Sequence, residues 1–101
     1  MNNENKNLIL RSVKALQGEV VPSLRSVSVE LRGKKIVWQC IFDANANDDD
    51  LELLSAASTE LIADYDWNYT LEEILQVIPN PNEMVHLENL IYLRHEKNYY
   101  K

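Results

Sequence analysis

The alternation of apolar and polar residues between Leu24 and Phe42 predicts a β-hairpin. The apolar positions are Val27, Val29 and Leu31 in a first run and Ile36, Trp38, Cys40 and Phe42 in a second run. Gly33-Lys34 separates the two runs, and a glycine at the first central position suits a type II′ turn. That turn places Val29 opposite Trp38 and brings the apolar residues of both runs onto one face.

A helix is predicted before the hairpin. From Glu4 to Gln17 apolar side chains recur at helical spacing. We expect Ile9, Val13 and Leu16 to face the core, with Leu8 and Ala15 widening the stripe. Gly18 follows at a position where a left-handed residue commonly ends a helix.

A second helix is predicted from Asp48 to Tyr65. Its apolar stripe consists of Leu51, Leu54, Leu61, Ile62 and Tyr65. Asp48, Asp49 and Asp50 fall in its first turn, where carboxylates cap free N–H groups and meet the positive end of the helix dipole. One cap is enough, so two of these carboxylates are left for another role.

The segment from Tyr69 to Ile78 allows two interpretations. Thr70-Leu71-Glu72-Glu73 matches a capping box and favours a helix, whereas Gln76-Val77-Ile78 has strand character and is followed by Pro79. Beyond a turn and loop, Leu90–Glu96 has the composition of a final strand. We expect the tail Lys97–Lys101 to fray.

Length and composition predict a single globular domain over residues 1–101. Hydrophobic residues make up 46% of the chain and charged residues 26%, close to the averages for folded domains. No apolar run approaches the roughly 20 residues of a transmembrane helix, and Met1–Asn7 lacks a signal-peptide core. Cys40 is the only cysteine, which excludes an internal disulfide and suits the cytoplasm. We expect it to be a small core residue rather than a nucleophile.

Charge is distributed unevenly along the chain. The stretch from Ile36 to Leu93 holds twelve acidic residues and neither lysine nor arginine, whereas the rest has ten bases and four acids. The formal net charge of −6 therefore combines −12 in this stretch with +6 elsewhere. Such a charge pattern attracts a basic partner and disfavours direct binding of nucleic acid or of an anionic membrane.

No motif has the spacing of a metal or catalytic site. Residues 43–47 begin like a calcium loop, but the positions that require glycine and glutamate hold Asp48 and Leu54. His86 and His95 have no cysteine or second histidine at ligand spacing, and no hydroxyl nucleophile has an assigned base. We therefore expect no metal, no cofactor and no catalytic residue.

Aromatic and acidic residues cluster between Asp64 and Tyr69. Three aromatic rings and two carboxylates share six residues of a predicted connection, where interface hot spots are frequent. Either Tyr65 and Trp67 plug the end of the core or the cluster binds a partner, and we expect Tyr69 to be exposed. With the acidic stretch, the cluster gives a predicted partner-binding set: Asp48, Asp49, Asp50, Glu52, Asp64, Asp66, Trp67, Tyr69, Glu72 and Glu73.

The C-terminal part carries a succession of short motifs. After the helix–hairpin–helix order come Glu72-Glu73-Ile74, a turn with Pro79 and Pro81, and Leu90-Ile-Tyr-Leu-Arg94-His-Glu96. In this succession the chain resembles small immunity proteins of bacterial polymorphic toxin systems, and among them most closely those of contact-dependent growth inhibition. The resemblance implies that Tyr69–Ile78 is a strand that pairs with the last one.

Pattern and resemblance together predict an α+β domain with the order α-β-β-α-β-β, a four-stranded antiparallel sheet and both helices on one face. The resemblance implies a non-enzymatic immunity protein that binds the C-terminal domain of a cognate toxin. We expect it to act as a monomer in a 1:1 complex. The charge independently suits a nuclease toxin, because nucleases need basic surfaces to hold phosphate. The alternative is a small acidic secretion chaperone or adaptor that binds an effector segment in an apolar groove.

Overall fold

The computed structural model describes residues 3–96. Its elements are α1 (Asn3–Leu16), β1 (Leu24–Arg32), β2 (Lys35–Phe42), α2 (Asp48–Ala63), β3 (Thr70–Val77) and β4 (Asn89–Leu93). The predicted order α-β-β-α-β-β is confirmed, with a strand rather than a helix at β3. Neither of these helices is long and apolar enough to cross a membrane. The expected fraying of Lys97–Lys101 lies outside the described residues.

The hairpin of β1 and β2 has the predicted register. Val29 lies opposite Trp38, and Val27 lies opposite Cys40. Gly33 has a φ of +62°, while no residue other than glycine has a positive φ within residues 3–96. A positive φ at the first central residue alone is the type II′ pattern, so turn chemistry and apolar alternation specify the same pairing.

The sheet is mixed rather than purely antiparallel. Its strand order is β3-β2-β1-β4. Strand β3 pairs with β2 in parallel, from Lys35↔Thr70 to Phe42↔Val77, and β4 pairs with β1 in antiparallel orientation. The predicted antiparallel sheet, and the predicted pairing of the last two strands with each other, are therefore wrong.

Helix α2 is the physical reason for the parallel pairing. Its 16 residues span about 24 Å, close to the roughly 26 Å of the eight-residue strand that follows. The helix therefore returns the chain to the end of the sheet where β2 begins, and β3 runs beside β2 in the same direction. Apolar alternation does not predict this outcome, because it is the same for either strand direction.

Both helices pack on one face of the sheet, as predicted. The buried cluster on this face joins Trp38 and Phe42 of β2 with Leu8 of α1 and with Leu54 and Leu61 of α2. The largest fully buried side chain of the described chain, that of Trp38, therefore lies in the layer between helices and sheet.

Helix α1 buries part of the predicted stripe, in a slightly rotated orientation. Its buried residues are Leu8, Ser12, Ala15 and Leu16, whereas Val13 is 43% exposed. The predicted burial of Leu8, Ala15 and Leu16 is confirmed, whereas that of Val13 is wrong and the buried Ser12 was not predicted, because the prediction followed hydrophobicity alone. Small side chains at Ser12 and Ala15 let the helix backbone approach its neighbours, so close packing decides the orientation.

A long connection, residues 78–88, covers the other face of the sheet. Because β3 and β4 lie at opposite edges, the chain between them must cross β2 and β1. Gln39 Nε2 donates to the carbonyl of Val85 at 2.9 Å, and the N–H of Leu87 donates to Ser28 Oγ at 3.0 Å. We call residues 78–88 the crossing segment.

Strand β2 is consequently buried on both faces. Val37 and Ile41 alternate with the residues that face the helices, and neither has any exposed surface. The crossing segment has no regular periodicity, so the sequence pattern gave no signal for this second buried face.

Trp38→Ala is expected to lower the free energy of unfolding by about 3–5 kcal/mol, because it removes a large buried side chain and leaves a cavity. Urea denaturation followed by circular dichroism measures the loss. Trp67→Ala is the matched control, since Trp67 is 95% exposed and its removal should change stability by no more than about 0.5 kcal/mol. A Trp38→Ala midpoint equal to that of the wild type would contradict the core position of Trp38.

Candidate partner-binding surface

Trp67 is the most exposed large hydrophobic residue among residues 3–96, with 95% of its surface accessible. It lies in the connection between α2 and β3, where the N–H of Tyr69 donates to the carbonyl of Asp66 at 3.0 Å. A side chain so exposed adds nothing to the core, and its apolar rings stay hydrated. The interpretation that Trp67 plugs the core is therefore wrong, and Trp67 is a candidate contact for another molecule.

Four side chains hold this connection, and we call them the aromatic stack: Arg11, Tyr65, Tyr69 and Lys34. The guanidinium carbon of Arg11 lies 4.6 Å from the centre of the Tyr65 ring, and the two tyrosine rings lie 4.9 Å apart at an angle of 50°. Lys34 Nζ lies 4.9 Å from the centre of the Tyr69 ring. Cations attract aromatic faces, so the stack ties the connection to α1 on one side and to the hairpin turn on the other.

Tyr69 belongs to the fold rather than to the exposed surface. It is half-buried and packs against the core, so the prediction that it is exposed is wrong. The next residue, Thr70, donates its N–H to the carbonyl of Lys34 at 2.9 Å. This first bond between β3 and the hairpin draws Tyr69 inward, while the preceding turn leaves Trp67 in solvent.

A cleft of about 240 Å³ lies beside the aromatic stack. Its lining residues are Glu4, Asn7, Arg11, Leu31, Asp64, Tyr65, Asp66 and Tyr69. Arg11 Nη1 donates to the backbone carbonyl of Asp64 at 3.2 Å, a bond that does not use the carboxylate of Asp64. Burial raises the pKa of Tyr65, so its hydroxyl is neutral at physiological pH. The cleft therefore combines aromatic surface with charges of both signs.

The structure divides the ten predicted partner-binding residues into three groups. Asp64, Asp66, Trp67 and Tyr69 lie in the connection after α2; Asp48, Asp49, Asp50 and Glu52 lie in its first turns; and Glu72 and Glu73 lie on β3. About 24 Å of helix separates the first group from the second. They are therefore two separate surface patches rather than one contact spot.

Asp50 has a structural role at the start of α2. Asn47 Oδ1 accepts the N–H of Asp50 at 2.8 Å, the Asp50 side chain accepts in return from the N–H of Asn47, and Ser23 Oγ donates to Asp50 at 2.8 Å. The capping box therefore accounts for Asp50. Asp48 and Asp49 remain exposed and stay available for another molecule.

The two glutamates of β3 contact different neighbours. Glu72 pairs with Lys35 at 2.8 Å, and this contact lowers the pKa of Glu72. Glu73 accepts hydrogen bonds from the hydroxyls of Ser55 and Ser58, both at 2.9 Å. Both carboxylates therefore have fixed positions on β3.

A buried ion pair at the end of the sheet opposite the hairpin turn was missed by the sequence analysis. Arg25 is fully buried and donates from Nε and Nη2 to the two carboxylate oxygens of Glu96, both at 2.8 Å. Its Nη1 donates to the carbonyls of Ile78 and Asn82, at 2.6 and 3.1 Å. The only signal in the sequence is a charged residue at the start of the apolar alternation of β1.

Arg94 extends this pair into a network. Its Nη2 donates to the Asp43 carboxylate at 2.6 Å and to Glu96 at 2.9 Å, and its Nη1 donates to the carbonyl of Pro22 at 2.7 Å. The pair with Arg94 lowers the pKa of Asp43 to about 2, and the bonds from Arg25 lower the pKa of Glu96. The network joins the starts of β1 and of the crossing segment to the end of the described chain.

This network also gives Asp43 a structural role. Asp43, the first residue of the calcium-like pattern, places its carboxylate against Arg94. No group of three or more His, Cys, Asp or Glu side chains within residues 3–96 is arranged to hold a metal.

Cys40 is buried, which confirms its predicted core position, and burial raises the pKa of its thiol.

A comparison with protein families finds a match over residues 5–96 to the family described as MafI2 immunity protein. The matched range runs from the first turn of α1 to the end of the described chain. The chain belongs to the MafI2 immunity protein family. The predicted membership among small immunity proteins of polymorphic toxin systems is thereby confirmed, while the narrower likeness to contact-dependent growth inhibition stays a prediction. A comparison with curated proteins finds none that matches.

Membership in the MafI2 immunity protein family gives the chain a toxin-neutralising immunity role. The surface that would perform this role is not uniformly acidic, although the sequence of the acidic stretch indicated that it would be. Lys35 lies against Glu72 at 2.8 Å and Arg94 against Asp43 at 2.6 Å, so bases from outside the acidic stretch offset acids within it. This MafI2 immunity protein therefore has separate acidic patches, one of them at Asp48 and Asp49.

Asp43→Asn is expected to weaken the dependence of stability on pH in acid. The ordinary pKa of 3.8 falls to about 2 in the folded protein, so the pair with Arg94 stabilises the fold fully above about pH 5 and is lost as the pH falls from about 4 to 2. Urea denaturation at a series of pH values measures the slope.

Asp66→Asn is the matched control for the loss of one negative charge, because Asp66 lies outside the network. Equal slopes for the wild type and Asp43→Asn would contradict the contribution of the pair to stability.

Proposed function

We propose that this protein neutralises a basic toxin domain, a nuclease, by binding it without catalysis in the cytoplasm of the producing cell. The complex contains one monomer of each protein. The observation that carries the proposal is the exposed Trp67 on a connection held by the aromatic stack. The acidic residues Asp64 and Asp66 precede Trp67 by three residues and by one residue in the sequence.

Trp67 has the properties of an interface hot spot. Tryptophan is enriched among the residues that contribute most to binding, because a large rigid ring buries much area and loses little conformational freedom. The aromatic stack restrains the chain on both sides of Trp67, through Tyr65 and Tyr69. A restrained loop loses less entropy on binding, which favours affinity.

The acidic patches supply the expected charge complementarity. Asp48, Asp49 and Glu52 lie exposed at the start of α2, about 24 Å of helix away from Asp64. Charges at such a distance from the hot spot accelerate the encounter with a basic partner more than they slow its dissociation. We therefore assign docking to the Trp67 region and steering to the start of α2.

A secretion chaperone is the second candidate function, and a different surface favours it. A cleft of about 280 Å³ is lined by Val13, Leu16, Gln17, Gly18, Val20, Ile91 and Tyr92. Leu10, on the same helix as Val13, is 65% exposed. Apolar surface of this kind suits an extended effector segment, and binding of such a segment instead of a toxin domain would favour this function.

Trp67→Ala is expected to raise the dissociation rate from the toxin domain encoded by the neighbouring reading frame by at least 20-fold, as the loss of a packed hot spot does. Surface plasmon resonance measures the rate. Val85→Ala is the matched control, because Val85 is 78% exposed on the crossing segment, away from the connection. An unchanged dissociation rate would exclude Trp67 as the docking residue, and the absence of any binding would contradict the immunity function toward this toxin.

Replacing Asp48, Asp49 and Glu52 together by Asn, Asn and Gln should lower the association rate and its dependence on salt, because screening acts over about 8–10 Å. Dissociation should change less than with Trp67→Ala. Asp50 is left in place so that the capping box still stabilises α2. Stopped-flow association at low and physiological salt tests this, and unchanged, salt-independent association would mean that this patch does not steer the partner.

A further inference from the structure

Strand β3 forms an open edge of the sheet, where only β2 pairs with it among the described residues. The N–H of Thr70 donates to the carbonyl of Lys34, and the N–H of Ile78 donates to that of Phe42, both at 2.9 Å. Because successive residues of a strand direct their backbone groups to opposite sides, the even-numbered residues of β3 bond to β2. The N–H and C=O groups of the odd-numbered residues point to the open edge, and these residues are Leu71, Glu73, Leu75 and Val77.

We propose that the toxin adds a strand to this edge and that basic side chains of the added strand lie beside Glu72 and Glu73. The proposal rests on the immunity function proposed above and names the mode of binding. Four N–H donors and four C=O acceptors over eight residues match an extended segment of similar length, and strand addition to an open edge is a recurrent mode of recognition.

The charges of β3 favour a basic strand as the occupant. Glu72 and Glu73 are adjacent, so their carboxylates lie on opposite faces of the sheet. Glu72 pairs with Lys35 but its side chain stays 41% exposed, and Glu73, which accepts from Ser55 and Ser58, is exposed. A basic strand would meet a carboxylate on either face. A second copy of this chain, paired through the same edge in antiparallel orientation, would add two further glutamates and only the lysines that already pair with Glu72, so it supplies no new base for Glu73.

The edge of β3 is continuous with the region of Trp67. Trp67 precedes Thr70 by only three residues and is 95% exposed, so its accessible ring belongs to the connection that leads into this edge. Backbone hydrogen bonds would then provide affinity, while Trp67 and the two glutamates would provide specificity.

The other edge of the sheet is less suited to strand addition. Strand β4 has only five residues, and its pairing with β1 is irregular between Val27 and Ser28. Asn89 at its start exchanges side-chain hydrogen bonds with Asn5 of α1 at 3.1 and 2.8 Å. A partner strand therefore finds a longer and more regular edge at β3.

Amide hydrogen exchange of ¹⁵N-labelled protein tests the proposal, with the toxin domain of the neighbouring reading frame as the probe. In the free protein the amides of Leu71, Glu73, Leu75 and Val77 should exchange faster than those of their even-numbered neighbours. Addition of the toxin should slow the four odd-numbered amides at least tenfold and should slow the even-numbered ones less.

The outcomes of this experiment distinguish a failure of strand addition from a failure of the immunity function. Binding without the odd–even alternation would overturn strand addition and leave the immunity function standing, whereas the absence of binding would overturn both. Protection of the odd-numbered amides that depends on protein concentration without toxin would assign the edge to a second copy and would also overturn the proposal.

A backbone modification provides the second test. Cys40, the only cysteine, permits ligation of residues 1–39 to a synthetic segment that carries an N-methyl group at Glu73. Since this N–H points away from β2, the modified protein should keep the unfolding midpoint of the unmodified semisynthetic control and should dissociate from the toxin at least tenfold faster. An unchanged dissociation rate in the folded, modified protein would overturn the proposal.

Discussion

The parallel pairing of β3 with β2 is the constraint on which the rest of the structure depends. It places β3 at one edge of the sheet and β4 at the other, so the crossing segment must traverse the face opposite the helices. That traverse buries Val37 and Ile41 and gives β2 a core on both sides. It also leaves one face of the sheet covered by irregular chain, whose backbone groups need partners that strands and helices do not supply.

Arg25 provides hydrogen bonds to two of these backbone groups. A fully buried guanidinium is costly unless all its donors are used, and here they bond to Glu96 and to the carbonyls of Ile78 and Asn82. Loss of one partner from such a pair typically costs about 3–5 kcal/mol, because the other charge stays buried and unpaired. The same geometry makes the network specific, because a planar guanidinium group can donate hydrogen bonds in only a narrow set of directions.

Local patterns in the sequence determined the elements and much of the core. Apolar alternation and the glycine of the II′ turn set the register that pairs Val29 with Trp38, because side-chain period and turn geometry act over a few residues. The motifs from Glu72 to Glu96 identified the class of immunity protein that the family match supports. The sequence shows that the stretch from Ile36 to Leu93 is acidic. A count of charges along the chain does not show which basic residues lie next to which acidic ones in the fold.

Tertiary structure alone decided strand direction, exposure and pairing of charges. The parallel run of β3 follows from the length of α2, and the exposure of Trp67 in place of Tyr69 follows from the first bond between β3 and the hairpin. Likewise, Arg25 is buried only because the crossing segment and Glu96 meet it from distant parts of the chain. Each of these outcomes depends on contacts between residues far apart in sequence, whereas periodicity and turn preference report only on near neighbours.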